Sequence, residues 1–185
     1  YAQTIMQALP LLPVEEEGRL MDPVLRENFI ERVFVYHRWQ SLCQSELTPA
    51  NLIDFHTNHK FGILAHDEAA YRELGQIVAE AGSADLLQLR ERYATLLMTA
   101  MKKRATRKLH SNVLTHIMGF LKDKIDSGDK AELLEVIEKY RHGQIPLIVP
   151  ITLLKHHLRR YPDPYIARQS YLNPHPEEPM LRTSL

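Results

Sequence analysis

The sequence predicts an all-α protein, a multi-helix bundle of about seven to eight helices with one proline-bounded extended crossing. Three observations predict it. Apolar residues recur at helical spacing in one segment after another, and no alternating strand pattern or internal repeat is visible. Helix starts are marked by a capping side chain followed by proline, at Asp22-Pro23, Thr48-Pro49 and Asp163-Pro164. The run Ile145-Pro146-Leu147-Ile148-Val149-Pro150 is apolar throughout and carries prolines that resist a mid-helix placement.

In chain order, Tyr1–Leu12 reads as a short amphipathic segment, and Pro10, Pro13, Glu15-Glu16-Glu17 and Gly18 as a loop. A long helix over Val24–Gln44 sets Leu25, Phe29, Val33, Tyr36 and Trp39 on one side. The next, Ala50–Ala65, buries Leu52, Ile53, Phe55, Ile63 and Leu64, with His56, Asn58, His59 and Lys60 among them. Asp67 caps Glu68–Ala81, with Tyr71, Leu74, Ile77 and Val78 inward. Gly82 ends that helix, and Ser83 caps Ala84–Arg104. A break is expected within Ala105–Ser111, although no proline or glycine forces one. Asn112–Ile125 follows, with Gly119 at a close helix contact. Ser127-Gly128-Asp129 is a turn from which Asp129 caps Lys130–Arg141.

Gly143 then ends a helix as a left-handed C′ residue. The residue before each proline is pushed to extended geometry, so Ile145–Pro150 reads as a buried crossing with Ile148 and Val149 interior. Beyond it a basic helix over Ile151–Tyr161 buries Leu153, Leu154 and Leu158 and exposes Lys155, His156, His157, Arg159 and Arg160. A short helix runs from Pro164 to about Tyr171. The tail after Pro174 is extended against the body or frayed.

At 185 residues the chain holds one sizeable core. Residues 1–22 read as a linker or the remnant of an upstream domain, and 23–185 as the all-α domain. The start at Tyr1, without methionine and directly into patterned sequence, suggests the C-terminal part of a longer protein. Twenty-three basic and 23 acidic residues cancel, so a nucleic-acid surface requires local segregation of charge. One cysteine, Cys43, excludes a disulfide framework and a four-cysteine metal or cluster site, and suits a reducing, cytoplasmic setting. No apolar run approaches the roughly 20 residues of a membrane span.

Charge does segregate. From Arg92 to Lys122 there is no Asp or Glu, and the centre of that run is Lys102, Lys103, Arg104, Arg107, Lys108 and His110. On a continuous helix Lys103 and Arg107 would share a face, and Arg104 and Lys108 the adjacent one. Multivalent bases of this kind bind phosphates. A second set is Lys155, Arg159 and Arg160, followed by Tyr161, Tyr165, Arg168, Tyr171 and Asn173. Tyrosine and arginine planes stack on unpaired RNA bases, though tyrosines also serve as wedges with hydroxyls at the rim. The commoner reading of an isolated basic run is a solvated helix end. Its acid-free length raises phosphate binding to equal standing.

Among ten histidines, His56 and His59 stand three apart, and His66 lies beyond them near the helix end. With Lys60 and His116 they are candidates for lining a pocket. Zinc is a weak reading, because no HExxH pair is present. No metal site and no catalytic residue is assigned.

Two stretches carry a resemblance. YRHGQIPLIVPITLLKHHLRRYPDPYIARQSYLNPHPEE looks like the end of the YbgA-type domain of unknown function. DFHTNHKFGILAH is close to that family's FHxxHKxxLMAH pattern, and His116 in NVLTHIMGFLK also matches. LPVEEEGRLMDPVLRENFIERVFVYHRW resembles the seam joining this domain to a TudS-type thiouracil desulfidase domain in RudS-type tRNA thiouridine desulfidases. The resemblance implies that the desulfidase domain is a partner in cis, with its iron–sulfur cluster held by upstream cysteines. No cofactor belongs to the present chain. The expected function is therefore an RNA-binding module, with tRNA as ligand, that is not itself the enzyme. A histidine- or metal-dependent enzyme is one alternative. A helical docking scaffold presenting Phe29, Val33 and Trp39 is the other.

Overall fold

The computed structural model describes residues 2–174, so the expected course of the tail after Pro174 lies outside them. Among the described residues there are nine α-helices and no strand. They are α1 (Ala2–Ala8), α2 (Pro23–Gln44), α3 (Pro49–His66), α4 (Glu68–Ala79), α5 (Leu86–Lys102), α6 (Arg107–Gly119), α7 (Ser127–Arg141), α8 (Ile148–Arg160) and α9 (Pro164–Ala167). Short 3₁₀ turns occupy Glu17–Met21 and Glu80–Gly82.

The capping logic holds where a carboxylate or hydroxyl meets its amides. Asp22 accepts from Val24 and Leu25, and Asp67 from Ala69 and Ala70. Thr48 and Asn51 form a reciprocal box. Two expected caps move. Asp85 rather than Ser83 caps α5, and Asp126 rather than Asp129 caps α7, its carboxylate accepting from the Asp129 amide at 2.9 Å. Ser127-Gly128-Asp129 is thus the first turn of α7, not the turn before it.

Helix α3 is the axis of the fold. Leu52, Phe55 and Ile63 belong to a core with α2, α4 and α5 around Trp39, Leu74, Tyr93 and Leu97. Phe61, Leu64 and Ala65 belong to a second core with α6, α7, α8 and α9 around Leu114, Ile117, Leu133, Leu154 and Tyr171. From Phe61 to His66 every residue is buried, as in an interior helix, while Ile53 and Asp54 nearer its start are exposed. The histidine motif owes its composition to this position. Gly62 lets α2 approach, since a Cβ there would stand 3.2 Å from Glu31 Oε1.

Helix α2 is rotated from the expected face. Val33 is exposed, while Glu31, Arg32, Val35 and Trp39 are buried. Charged residues are accepted inside because they are partnered: Arg32 donates to the Val14 carbonyl at 2.8 Å, and Glu31 faces His66. Trp39, 2 % exposed, stacks on Tyr93, so it is interior rather than part of a docking face.

The proline-rich connection is shorter than expected. Helix α8 already begins at Ile148, and Pro150 is its third residue. That position has no intrahelical acceptor for an amide, so proline costs no hydrogen bond there. Val149 is 39 % exposed and Ile148 half-buried; Leu147, Pro150 and Ile151 are the residues that go inside. Gly143 does close α7, at φ +75°, its amide donating to Tyr140 O and that of Gln144 to Lys139 O. Gly143→Ala should cost about 1–2 kcal/mol, as expected for a left-handed L-residue. The Arg107 guanidinium, 3.1 Å from where the added methyl would stand, must also shift. Urea unfolding of the variant checks this, and an unchanged midpoint would refute it.

Candidate functional site

The basic run is not one helix. Helix α5 stops at Lys102, and α6 restarts at Arg107 behind a Thr106 cap. Between them Ala105 is buried, and its amide donates to Asn28 Oδ1 of α2 at 2.8 Å. This anchor, with the Thr106 hydroxyl accepting from Leu109, supplies the break that no proline or glycine announced. The expected sharing of faces by Lys103 with Arg107, and by Arg104 with Lys108, is therefore lost at the corner.

The corner sorts its bases by partner. Lys102 donates to the Pro10 carbonyl at 3.3 Å, and Lys103 pairs with Asp67. Burial alone would raise the Asp67 carboxyl, but Lys103 and the two capped amides together hold it below its usual range. Arg104, Arg107 and Lys108 are exposed. Arg107 and Lys108 sit in the first turn of α6, where the helix dipole disfavours positive charge. Bases placed there do not stabilise the helix end.

Arg104 and Arg107 form one wall of a cleft of about 500 Å³. Glu27 and Glu31, one turn apart on α2, line it as well. Arg141, at the end of α7, and the apolar residues Val24, Ala105 and Leu147 complete it, with His110 and Tyr140 deeper. His110 Nδ1 meets the Tyr171 hydroxyl at 2.9 Å, so His110 belongs to the wall rather than to an outward basic face. Glu27, Glu31 and Arg141 were missed in the sequence. The signal that could have found the first two was the i,i+4 carboxylate pair on α2.

Lys155 and Arg159 of the second basic set line a different cleft, of about 410 Å³, with Pro162, Asp163 and Asn173. Lys155 donates to Asn173 Oδ1 at 2.8 Å, and Arg160 lies over the Tyr161 ring. Of the other tyrosines, Tyr171 is fully buried and Tyr165 stacks on Phe120 beneath Lys60, so both are wedges. His157 is buried rather than exposed, 3.9 Å from Asp129.

The histidines of α3 are each committed inside. His56 Nδ1 meets the Tyr93 hydroxyl at 3.1 Å. His59 Nδ1 donates to the Phe55 carbonyl at 2.7 Å, leaving its buried Nε2 without a partner among the described residues. Burial first, then nearby positive charge, holds His56 at about 4. Burial likewise holds His59 at about 4. His66 is different. Burial alone would lower it, but Glu31 at 3.5 Å and the Lys103 carbonyl at 2.6 Å together raise it. His66 thereby ties α3 both to the cleft carboxylate and to the basic corner. His116 is exposed on α6, and Gly119 has open space where a Cβ would stand. Neither forms the packed contact expected of it.

Among the described residues no group of three or more His, Cys, Asp or Glu is arranged to hold a metal ion. Cys43 is half-buried, its thiol pushed up by burial, and a lone thiol does not make a cluster donor set. No helix of the described residues is long and apolar enough to cross a membrane.

Residues 60–176 match the model of a family described as "Protein of unknown function (DUF1722)". The chain is 32 % identical over 159 residues to a protein of Escherichia coli (strain K12) described as "Uncharacterized protein YbgA". That alignment covers 85 % of this chain and 94 % of the other. No solved structure matches.

Proposed function

We propose, from the premise that the chain belongs to the DUF1722 family of proteins of unknown function, that it is an RNA-binding module with tRNA as its ligand. The observation that carries the reading is the α5–α6 corner. Arg104, Arg107 and Lys108 are exposed there, two of them at a helix start whose dipole disfavours positive charge, with the Arg107 guanidinium resting against Gly143 at the end of α7. Phosphate oxygens are the ligand such groups fit, Arg by bidentate pairing and Lys as a point charge. Lys102 and Lys103 support the corner by their own internal contacts. Lys155 and Arg159 at a separate cleft, with Arg160 over the Tyr161 ring, are a second contact set suited to an extended ligand. A TudS-type desulfidase domain is the proposed partner in cis and supplies the chemistry, in the cytoplasm.

Binding to tRNA across a salt series tests this. Log affinity should fall linearly with log salt, by about 0.7–0.9 for each phosphate contacted. Replacing Arg104, Arg107 and Lys108 by alanine should flatten the slope by about two to three while circular dichroism stays unchanged. An unchanged slope in the folded variant would remove the corner as the contact. Absence of binding by the wild type at low salt would refute the reading.

A further inference from the structure

The acid-free run carries an aromatic ring near its far end. Phe120 follows the last turn of α6 and keeps 38 % of its surface in solvent. One face of the ring is already stacked, on Tyr165, at 5.4 Å between centroids and 22° between planes. Tyr165 is itself fixed. Its amide donates to Asp163 Oδ1 at 3.0 Å, its hydroxyl is buried, and Lys60 Nζ stands 4.8 Å from the centre of its ring. The Phe120 amide donates to the Ile117 carbonyl, and the next residue, Leu121, is fully buried. A single exposed aliphatic side chain such as Leu87 is ordinary and points to no ligand. A ring held against a second ring, with surface left in solvent, is a preorganised platform that loses little freedom when a further ring joins it.

Charge selects the kind of ring. Lys108 and Lys122 are exposed and hold no ion pair among the described residues. Lys124 reaches Asp163 at 3.7 Å, and that carboxylate also accepts from the α9 amides. Asp123 is exposed beside Lys122 in the chain, so the lysines outnumber the acids. An aromatic platform among lysines suits a flat group tied to phosphate, which is a nucleic-acid base. Between Lys108 and Phe120 the exposed side of α6 shows Thr115, His116 and Gly119, with no carboxylate. That stretch of helix spans about 18 Å, at about 1.5 Å per residue. About five nucleotides of a stacked strand, at about 3.4 Å each, cover the same length. We propose that Phe120 stacks an unpaired RNA base while the attached strand follows the exposed side of α6 toward Lys108 at the basic corner. The proposal deepens the RNA-binding reading and rests on it. The corner responds to charge, whereas the ring responds to the presence of an unstacked base, so loops and single strands are favoured over paired stems.

The test uses the full chain with a short adenosine oligoribonucleotide and with an oligomer of the same length and charge that lacks the bases. The intact strand should bind about tenfold tighter, a usual size for one base stacked on an aromatic side chain. Phe120→Leu should remove most of that difference and leave the salt slope unchanged. Lys108→Ala with Lys122→Ala should flatten the slope and leave the difference. Phe120→Trp should retain the affinity, and its emission should be quenched by the intact strand against a constant background from Trp39, which is 2 % exposed. Equal binding of the two strands overturns the stacking proposal and leaves the RNA reading of the corner standing. A difference that survives Phe120→Leu in a folded variant also overturns it, by placing the stacked base elsewhere. Absence of binding by either strand at low salt refutes both readings. The comparison of intact and baseless strands needs only the wild type, so the proposal stays falsifiable even if a variant fails to fold.

Discussion

Lowering the pH from 7.5 to 5 should remove about 4 kcal/mol of folding stability through His56 and His59 alone, at about 2 kcal/mol each. Both are held at about 4 in the folded chain, whereas an unfolded histidine titrates near 6.5. Between those values the unfolded state binds protons that the folded state refuses, so stability falls as pH falls. The structural cause is clearest at His59. Its Nδ1–H is used on Phe55 O, and a proton on the buried Nε2 would create a charged donor facing no acceptor among the described residues. His66 runs the other way. Burial opposes its charge, but Glu31 and the Lys103 carbonyl raise its folded value, so its contribution is full below 6.5 and is lost as pH rises through the folded value. It offsets part of the acid loss. Asp67, depressed below 3.8, acts only under the window. Urea unfolding at pH 7.5, 6 and 5 measures the slope. His59→Gln should reduce it by about 0.8 kcal/mol per pH unit on average, its share of the loss spread over this range. Stability that is flat from pH 7.5 to 5 would show that these histidines are not held neutral.

How much of this was legible follows from the range of each interaction. Capping is local, so Asp22, Thr48, Asp67 and Asp163 announced their helices within three residues. Burial is not local. The apolar spacing Leu25, Phe29, Val33 on α2 pointed to one face, while Glu31 and Arg32 turned inward because His66 and Val14, distant in sequence, wait for them. The corner shows the same division. Its bases were visible as an acid-free run, but the Asn28 contact that breaks the helix at Ala105 comes from 77 positions away. The cleft therefore joins residues of separate segments, and only Arg104, Arg107 and His110 stood out in the chain. The histidine motif was legible as a motif and misleading as a site. Helical spacing permits a shared face, yet on a helix packed between two cores His56, His59 and His66 are all interior.

Ile151→Asp should unfold the chain or cost about 4 kcal/mol or more, whereas Val149→Asp should change stability by only about 0.5 kcal/mol. The two positions lie close together, in the apolar run between and beyond the prolines. A buried extended crossing would place Ile148 and Val149 inside and make their replacement the damaging one. The helix begun at Ile148 reverses this. Ile151 is 1 % exposed in the core of α6, α7, α8 and α9, where a carboxylate would have no partner. Val149 is 39 % exposed in the first turn, where an acid also complements the helix dipole. Pro150 makes the early start possible. It is the third residue of α8, and the carbonyl its ring would strike in a longer helix belongs to Pro146, outside the helix. Thermal melts of the two variants decide between the geometries. Loss of folding with Val149→Asp, and tolerance of Ile151→Asp, would require the extended crossing and overturn the helix start at Ile148.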